Sequence, residues 1–111
     1  MTKTARRGVV SWDARRDGEL SEESLRRRYP APSFRLAVRR FTAGELVRGA
    51  MRKGTCFVLR GECKFMFDDQ PITLKSGEYS DLPEGEFAVL ALGTEDLVYV
   101  VVWPVPSNTT G

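Results

Sequence analysis

The chain has 111 residues, 41% of them apolar, a formal net charge of +2 and no histidine. That length supports one domain around a single core and is too short for two. A histidine-built iron, manganese or nickel site is excluded by composition, and the longest uninterrupted apolar run, the seven residues Leu97 to Trp103, falls far short of the ~20 that a membrane-spanning helix needs.

Residues 1–40 hold eleven Lys or Arg against five acids, and residues 41–111 hold six against ten, so the small net charge hides a basic front and an acidic remainder. Met1 to Gly8 lacks the apolar stretch of a secretory signal. A cytoplasmic protein with no membrane partner is therefore expected. Basic clusters stand at Arg6-Arg7, Arg15-Arg16 and Arg26-Arg27-Arg28. Such clusters suit phosphates, but no recognition-helix, zinc-finger or aromatic RNA-binding pattern accompanies them. They read as a solvated face that complements the acidic part of the chain or a partner subunit, and no nucleic acid partner is expected.

Residues 1–33 read as an N-terminal arm with one short helix. Residues 1–18 are polar apart from Val9, Val10 and Trp12, and this arm is expected to add a strand to the edge of its own sheet or of a neighbour's. A helix comes next. Ser21 can cap it, Glu22 and Glu23 suit its positive end, Arg26 to Arg28 suit its negative end, and Pro30 stops it. Leu20 and Leu25 have the spacing of a hydrophobic staple, and Leu25 pairs with Tyr29 at i,i+4. This one-sided helix is expected to pack on the outside of the barrel formed by the rest of the chain.

From Phe34 the pattern has period two. Phe34, Leu36 and Val38 share one face of a strand while Arg35 and Arg39 share the other, the mark of a half-buried antiparallel strand. Thr42 to Glu45 is a turn, and Leu46 to Lys53 is a weakly apolar strand or loop. Short apolar runs then alternate with turns: Cys56 to Leu59, a turn at Gly61, Cys63 to Phe67, a hairpin turn at Asp68-Asp69-Gln70-Pro71, Ile72 to Leu74, a turn at Lys75 to Glu78, Phe87 to Leu92, and Leu97 to Trp103. Turns every eight to twelve residues indicate a small all-β barrel or sandwich. The barrel is assigned to residues 34–105 and a loose tail to 106–111. Cys56 and Cys63 flank Gly61 and are expected as reduced, partly buried thiols, since neither an oxidising compartment nor further soft metal ligands are indicated.

Two fragments carry a family resemblance. Phe57 to Glu62 resembles the end of the first cupin motif, and Gly77 to Gly85 resembles the start of the second, G-x5-P-x-G-x2-H-x3-N, with Gly77, Pro83 and Gly85 at the required separations. The resemblance implies a double-stranded β-helix, a cupin-like jelly-roll barrel. Where it breaks off is as informative. Its second-motif histidine and asparagine positions are Ala88 and Leu92, its glutamate position is Gly54, and its first histidines fall within Val47 to Ala50. No metal and no other cofactor is expected.

In that register Cys56, Val58, Cys63, Phe65 and Phe67 point inward. Small residues at Gly49, Ala50, Gly54 and Ala88 would leave room for a partly apolar pocket. Phe65, Phe67, Ala88 and Leu90 would line it, and Cys56, Arg48, Tyr79 and Asp81 would be its polar contacts. Tyr79 and Asp81 share a face and are the acid–base candidates; Arg48, Arg52 and Arg60 are candidates for an oxyanion at the mouth. Two functions fit these residues. One is a metal-independent cupin-like protein that binds a small organic molecule, with isomerisation, epimerisation or cyclisation as its chemistry. The alternative is a non-catalytic interaction or regulatory module. A homodimer is expected in either case, because open sheet edges need covering.

Overall fold

The computed structural model describes residues 9–67 and 70–105. The expected turn at Asp68-Asp69, the Arg6-Arg7 pair and the tail from residue 106 lie outside the described residues. The elements in chain order are β1 (Val10–Ser11), α1 (Ala14–Asp17), α2 (Glu22–Arg28), β2 (Phe34–Phe41), β3 (Leu46–Met51), β4 (Gly54–Arg60), β5 (Glu62–Phe67), β6 (Gln70–Lys75), β7 (Glu78–Leu82), β8 (Gly85–Leu92) and β9 (Leu97–Pro104). They form an all-β jelly-roll barrel with its short helix at the N-terminus, as the alternation predicts. A five-stranded sheet runs β1-β7-β4-β9-β2 and a four-stranded sheet runs β3-β8-β5-β6, with antiparallel pairing throughout. The arm takes the first of its two expected placements. Val10 pairs with Tyr79 and Ser11 with Glu78, so β1 extends the chain's own sheet.

α2 forms where its caps and charges place it. The Ser21 hydroxyl accepts from the Ser24 amide at 3.1 Å while the Ser24 hydroxyl accepts from the Ser21 amide at 3.0 Å, a reciprocal cap that satisfies two otherwise orphaned donors. Arg26 pairs with Glu22 at 2.9 Å, Arg27 with Glu23 at 3.4 Å and Arg28 with Asp17 at 3.3 Å, so much of the basic front is neutralised close to its own element. α1 has no counterpart in the sequence reading. Four residues carry no apolar period, and only the Asp13 carboxylate, accepting from the amides of Arg15 and Arg16, marks its start.

The helix changes the meaning of the sheet beneath it. Leu25 is fully buried against Phe57, Val100 and Val102 on the outer face of the five-stranded sheet, and Trp12, Tyr29, Phe34, Leu36 and Val38 pack around that cluster. A second core, between the sheets, gathers Cys56, Val58, Cys63, Phe65, Leu74, Leu82, Val89 and Tyr99. The five-stranded sheet is therefore covered on both faces. On β2 the apolar residues 34, 36 and 38 serve the outer cluster, and the opposite face, with Arg35, Ala37, Arg39 and Phe41, is the one turned to the barrel.

Candidate functional site

β2 and β3 are the outer strands of their sheets, and where they face each other the barrel is not filled. A cavity of about 170 Å³ remains, bounded by Ala37 and Arg39 of β2, Ala50 and Met51 of β3 with Arg52 just beyond, Phe65, Phe87, and the β9 residues Tyr99, Val101 and Trp103. Register explains the assembly. Arg39 pairs with Tyr99, Ala37 with Val101 and Arg35 with Trp103, so these side chains form a row across two neighbouring strands. The wall opposite is aromatic: the Phe65 ring lies 5.4 Å from Tyr99 and 5.7 Å from Phe87.

The polar groups of the cavity are few. Arg39 and Arg52 are exposed at its rim, and neither forms an ion pair with a described residue. The Tyr99 side chain is largely buried, and since no fully buried polar side-chain atom among the described residues lacks a hydrogen-bond partner, its hydroxyl, which bonds to no other described residue, keeps some access to solvent. Burial, with the Cys56 and Cys63 thiols, holds the Tyr99 hydroxyl above its ordinary value, against a smaller opposing effect of the Arg39 guanidinium. Burial likewise drives Cys56 well above the ordinary thiol range and Cys63 to about 12. At neutral pH the three groups are protonated. Both thiols are free and packed in the core, where they act as small hydrophobes rather than nucleophiles.

Of the residues predicted for the pocket and its mouth, Phe65, Ala50 and Arg52 line the cavity. Cys56 and Phe67 face the interior but are spent in packing, with Phe67 stacked 6.1 Å from Phe65. Arg48, Ala88 and Leu90 lie elsewhere. β8 turns Phe87, Val89 and Ala91 to the core, which puts Ala88 and Leu90 on the outer face of the four-stranded sheet, with Arg48 paired to Ala88 and Leu46 to Leu90. A one-residue difference in register carries every side chain of a strand to its other face, and the motif count assigns the wrong parity here. Tyr79 and Asp81 also face away from the barrel. Tyr79 stacks on Phe57 at 5.0 Å beneath Trp12, and Asp81 accepts from the Thr55 hydroxyl at 2.8 Å in the open. Arg60 sits near Glu95 at 3.8 Å and does not line the cavity.

The room expected from small residues is mostly taken. A Cβ on Gly49 would meet the Phe87 ring at 3.4 Å, and one on Gly54 would lie 2.6 Å from the Val102 carbonyl oxygen. What the sequence reading missed is Ala37, Arg39, Tyr99, Phe87 and Trp103. Their signal was present: Arg39, Tyr99 and Trp103 fall on one parity of strands whose other parity is already apolar enough to belong to a different core.

The metal centre implied by the cupin resemblance can be tested on these residues. Its positions hold Val47 to Ala50, Gly54 and Ala88, Gly54 has no space for a side chain, and Ala88 points outward. Among the described residues no three His, Cys, Asp or Glu side chains are grouped to hold a metal ion. The residues present do not fit such a centre.

No family model matches the chain, and no curated protein matches it. Solved structures do. The barrel is a double-stranded β-helix of the kind found in a cupin superfamily protein of Desulfitobacterium hafniense, at TM-score 0.52 and 18% identity over 90% of this chain and 82% of that one. A transcriptional regulator of the HTH_3 family from Vibrio cholerae superposes at TM-score 0.57 and 19% identity, over 67% of this chain and 44% of that one. The DMSP lyase DddQ of Ruegeria pomeroyi superposes at 0.56 and 20% identity, over 72% of this chain and 42% of that one. This chain has the cupin fold. It spans less than half the length of the last two proteins. No helix among its described residues is long and apolar enough to cross a membrane.

Proposed function

We propose that this protein binds a small, partly apolar organic molecule in the barrel and holds it without transforming it. The observation that carries this reading is the cavity of about 170 Å³ between β2 and β3, aromatic on one side and edged by two arginines that have no ion-pair partner among the described residues. Its size limits the ligand. A cavity of ~150 Å³ accommodates benzene, whereas sites for drug-sized ligands run to roughly 300–1,000 Å³.

The chemistry of the lining favours binding over turnover. General acid–base catalysis needs a group whose pKa lies near the working pH. Among the described residues the lining carries no carboxylate, the chain has no imidazole, and the Tyr99 hydroxyl is held above its ordinary value. The isomerase-type reading has therefore lost the residues proposed for it, since Tyr79 and Asp81 face outward. Among proteins of the same fold, the Vibrio cholerae regulator gives a setting in which a barrel that binds and does not react would be useful.

Replacement of Ala37 by Leu tests the reading. Ala37 lines the cavity, so the larger side chain has space to enter. Toluene and benzyl alcohol are titrated into both proteins by calorimetry, with thermal melting as a control for folding. Binding to the wild type that disappears in Ala37→Leu at unchanged or raised melting temperature is the expected result. A variant destabilised by the ~1–3 kcal/mol typical of overpacking, with no binding to the wild type, would show that the space is not usable and would leave the interaction-module reading in its place.

A further inference from the structure

The rim of the cavity carries two arginines, and their placement narrows the class of ligand. Among the described residues, Arg16, Arg26, Arg27, Arg28 and Arg60 each have a carboxylate within ion-pair distance. Arg39 and Arg52 have none, as is also true of Arg15, Arg35, Arg40 and Arg48, but these two line one cavity, Arg39 from β2 and Arg52 from the connection after β3. Among the described residues no acidic one lines the cavity with them. The Arg39 position has a second consequence. Its register partner is Tyr99, whose hydroxyl has no hydrogen-bond partner among the described residues.

Guanidinium groups present rigid donor forks that match planar oxyanions, and they cannot be neutralised by losing a proton at working pH. The Tyr99 phenol, which keeps its proton, supplies a further donor. The wall beyond these donors is a set of aromatic and aliphatic faces, Phe65, Phe87, Met51 and Val101, with the Trp103 indole beside them and no further charged group among the described residues to meet a second anion. We infer that the cavity selects small monocarboxylates whose flat or branched apolar body has about six to eight carbon atoms, the carboxylate held at the rim by Arg39, Arg52 and Tyr99. The carbon count rests on the ~150 Å³ cavity that takes up benzene. This assignment rests on the cavity-binding reading and adds the charge of the ligand to it.

A small inorganic anion would meet the same arginines but leave the apolar wall empty. A dicarboxylate would bury its second charge against Phe65 and Phe87 with no partner, a desolvation cost that disfavours it strongly. An amine would face two cations.

The test titrates four probes into the full chain: benzoate, benzyl alcohol, inorganic phosphate and benzylamine. Benzoate is expected to bind at least tenfold more tightly than benzyl alcohol, and benzylamine and phosphate at least tenfold more weakly than benzoate. Arg39→Gln and Arg52→Gln, both at exposed positions that leave the fold intact, are each expected to reduce the benzoate-to-benzyl-alcohol affinity ratio about tenfold. Tyr99→Phe is expected to reduce it by a smaller factor. Equal affinity for benzoate and benzyl alcohol, or ratios unmoved in both arginine variants, would overturn the carboxylate assignment and leave cavity binding standing. Benzoate binding that survives Ala37→Leu unchanged would place the anion on the outer surface and overturn the assignment too. Failure of every probe to bind would overturn it together with the cavity reading.

Discussion

Gly54 begins β4 at a point where two strands approach too closely for any side chain. A Cβ there would lie 2.6 Å from the Val102 carbonyl oxygen and 3.2 Å from the Trp103 Cβ, and the obstacle is mostly backbone that cannot swing aside. Gly54→Ala is expected to force β4 and β9 apart and to cost about 1–3 kcal/mol, seen as a lower urea midpoint with an unchanged slope. A variant as stable as the parent would mean that this approach is not tight. The same residue explains a limit of motif counting. The cupin resemblance assigns a glutamate ligand to position 54, and the sequence alone reads its replacement by glycine as lost function and gained space. In the folded chain the glycine is a packing requirement, and Trp103 occupies the neighbourhood. Gly61 makes a similar demand by a different route: its φ of 83° is poorly tolerated by L side chains, and an added Cβ would sit 2.7 Å from the Asp96 carbonyl oxygen.

At the scale of elements, the arm from Val9 to Gly18 is held by one side chain more than by its two-residue strand. Trp12 lies edge-on to Phe57 and to Tyr79, with centroids 6.0 and 6.2 Å away. Its indole nitrogen donates to the Gly18 carbonyl at 2.7 Å, and the Arg28 guanidinium lies 5.3 Å from its ring. Aromatic pairs contribute ~0.5–1.5 kcal/mol each and a cation–π contact ~0.5–1 kcal/mol. Trp12→Ala is accordingly expected to lose about 2–3 kcal/mol and to expose the β1–β7 amides to hydrogen exchange, while cavity binding of benzyl alcohol, on the far side of the sheet, stays within about twofold. Exchange that remains slow throughout β1 would show that the arm holds without its tryptophan. The strand positions were legible because hydrophobic alternation is set locally, and so was α2, whose caps and charges are written in consecutive residues. Which face of β2 looks inward was not legible. That depends on α2 covering the other face, a tertiary fact that period-two alternation cannot carry. A clue existed in Cys56 to Leu59 and Val98 to Trp103, which are apolar on both parities, as strands covered on two sides tend to be.

For the whole molecule, the two thiols and the Tyr99 phenol tie stability to alkaline pH. An exposed thiol in the unfolded chain gives up its proton near 9.0 and a phenol near 10.0, whereas in the fold Cys63 keeps its proton to about 12, and Cys56 and Tyr99 are also shifted upward. Above pH 9 the unfolded chain therefore binds fewer protons than the folded one. Stability is full below that pH and falls as the pH rises toward 12. Urea midpoints measured under reducing conditions from about pH 8 to 11 are expected to decline, and to decline less steeply in Cys63→Ala. A flat profile would mean that the thiols are more accessible than their packing implies. The jelly-roll class was recoverable from turn spacing and from Gly61, Gly77 and Pro83. The site was recoverable in type, as an apolar pocket with a few arginines, and residue by residue at Phe65, Ala50 and Arg52; the rest was not, because it is assembled from the edges of two sheets whose pairing no local pattern encodes.

The pairing of β2 with β9 has a consequence for how the protein comes into being. Phe34 lies against Pro104 and Phe41 against Leu97, so the first long strand of the barrel waits for the last, and β4 waits for the same partner. Contacts this distant in sequence make closure slow. During synthesis, β2, β4 and β7 emerge before the strand that stands between β2 and β4, leaving Phe57 and Val58 without their final cover. A ribosome-bound chain lacking residues 97–104 has neither the Tyr99 wall of the cavity nor a joined five-stranded sheet, which makes this last strand the step at which folding competes with aggregation.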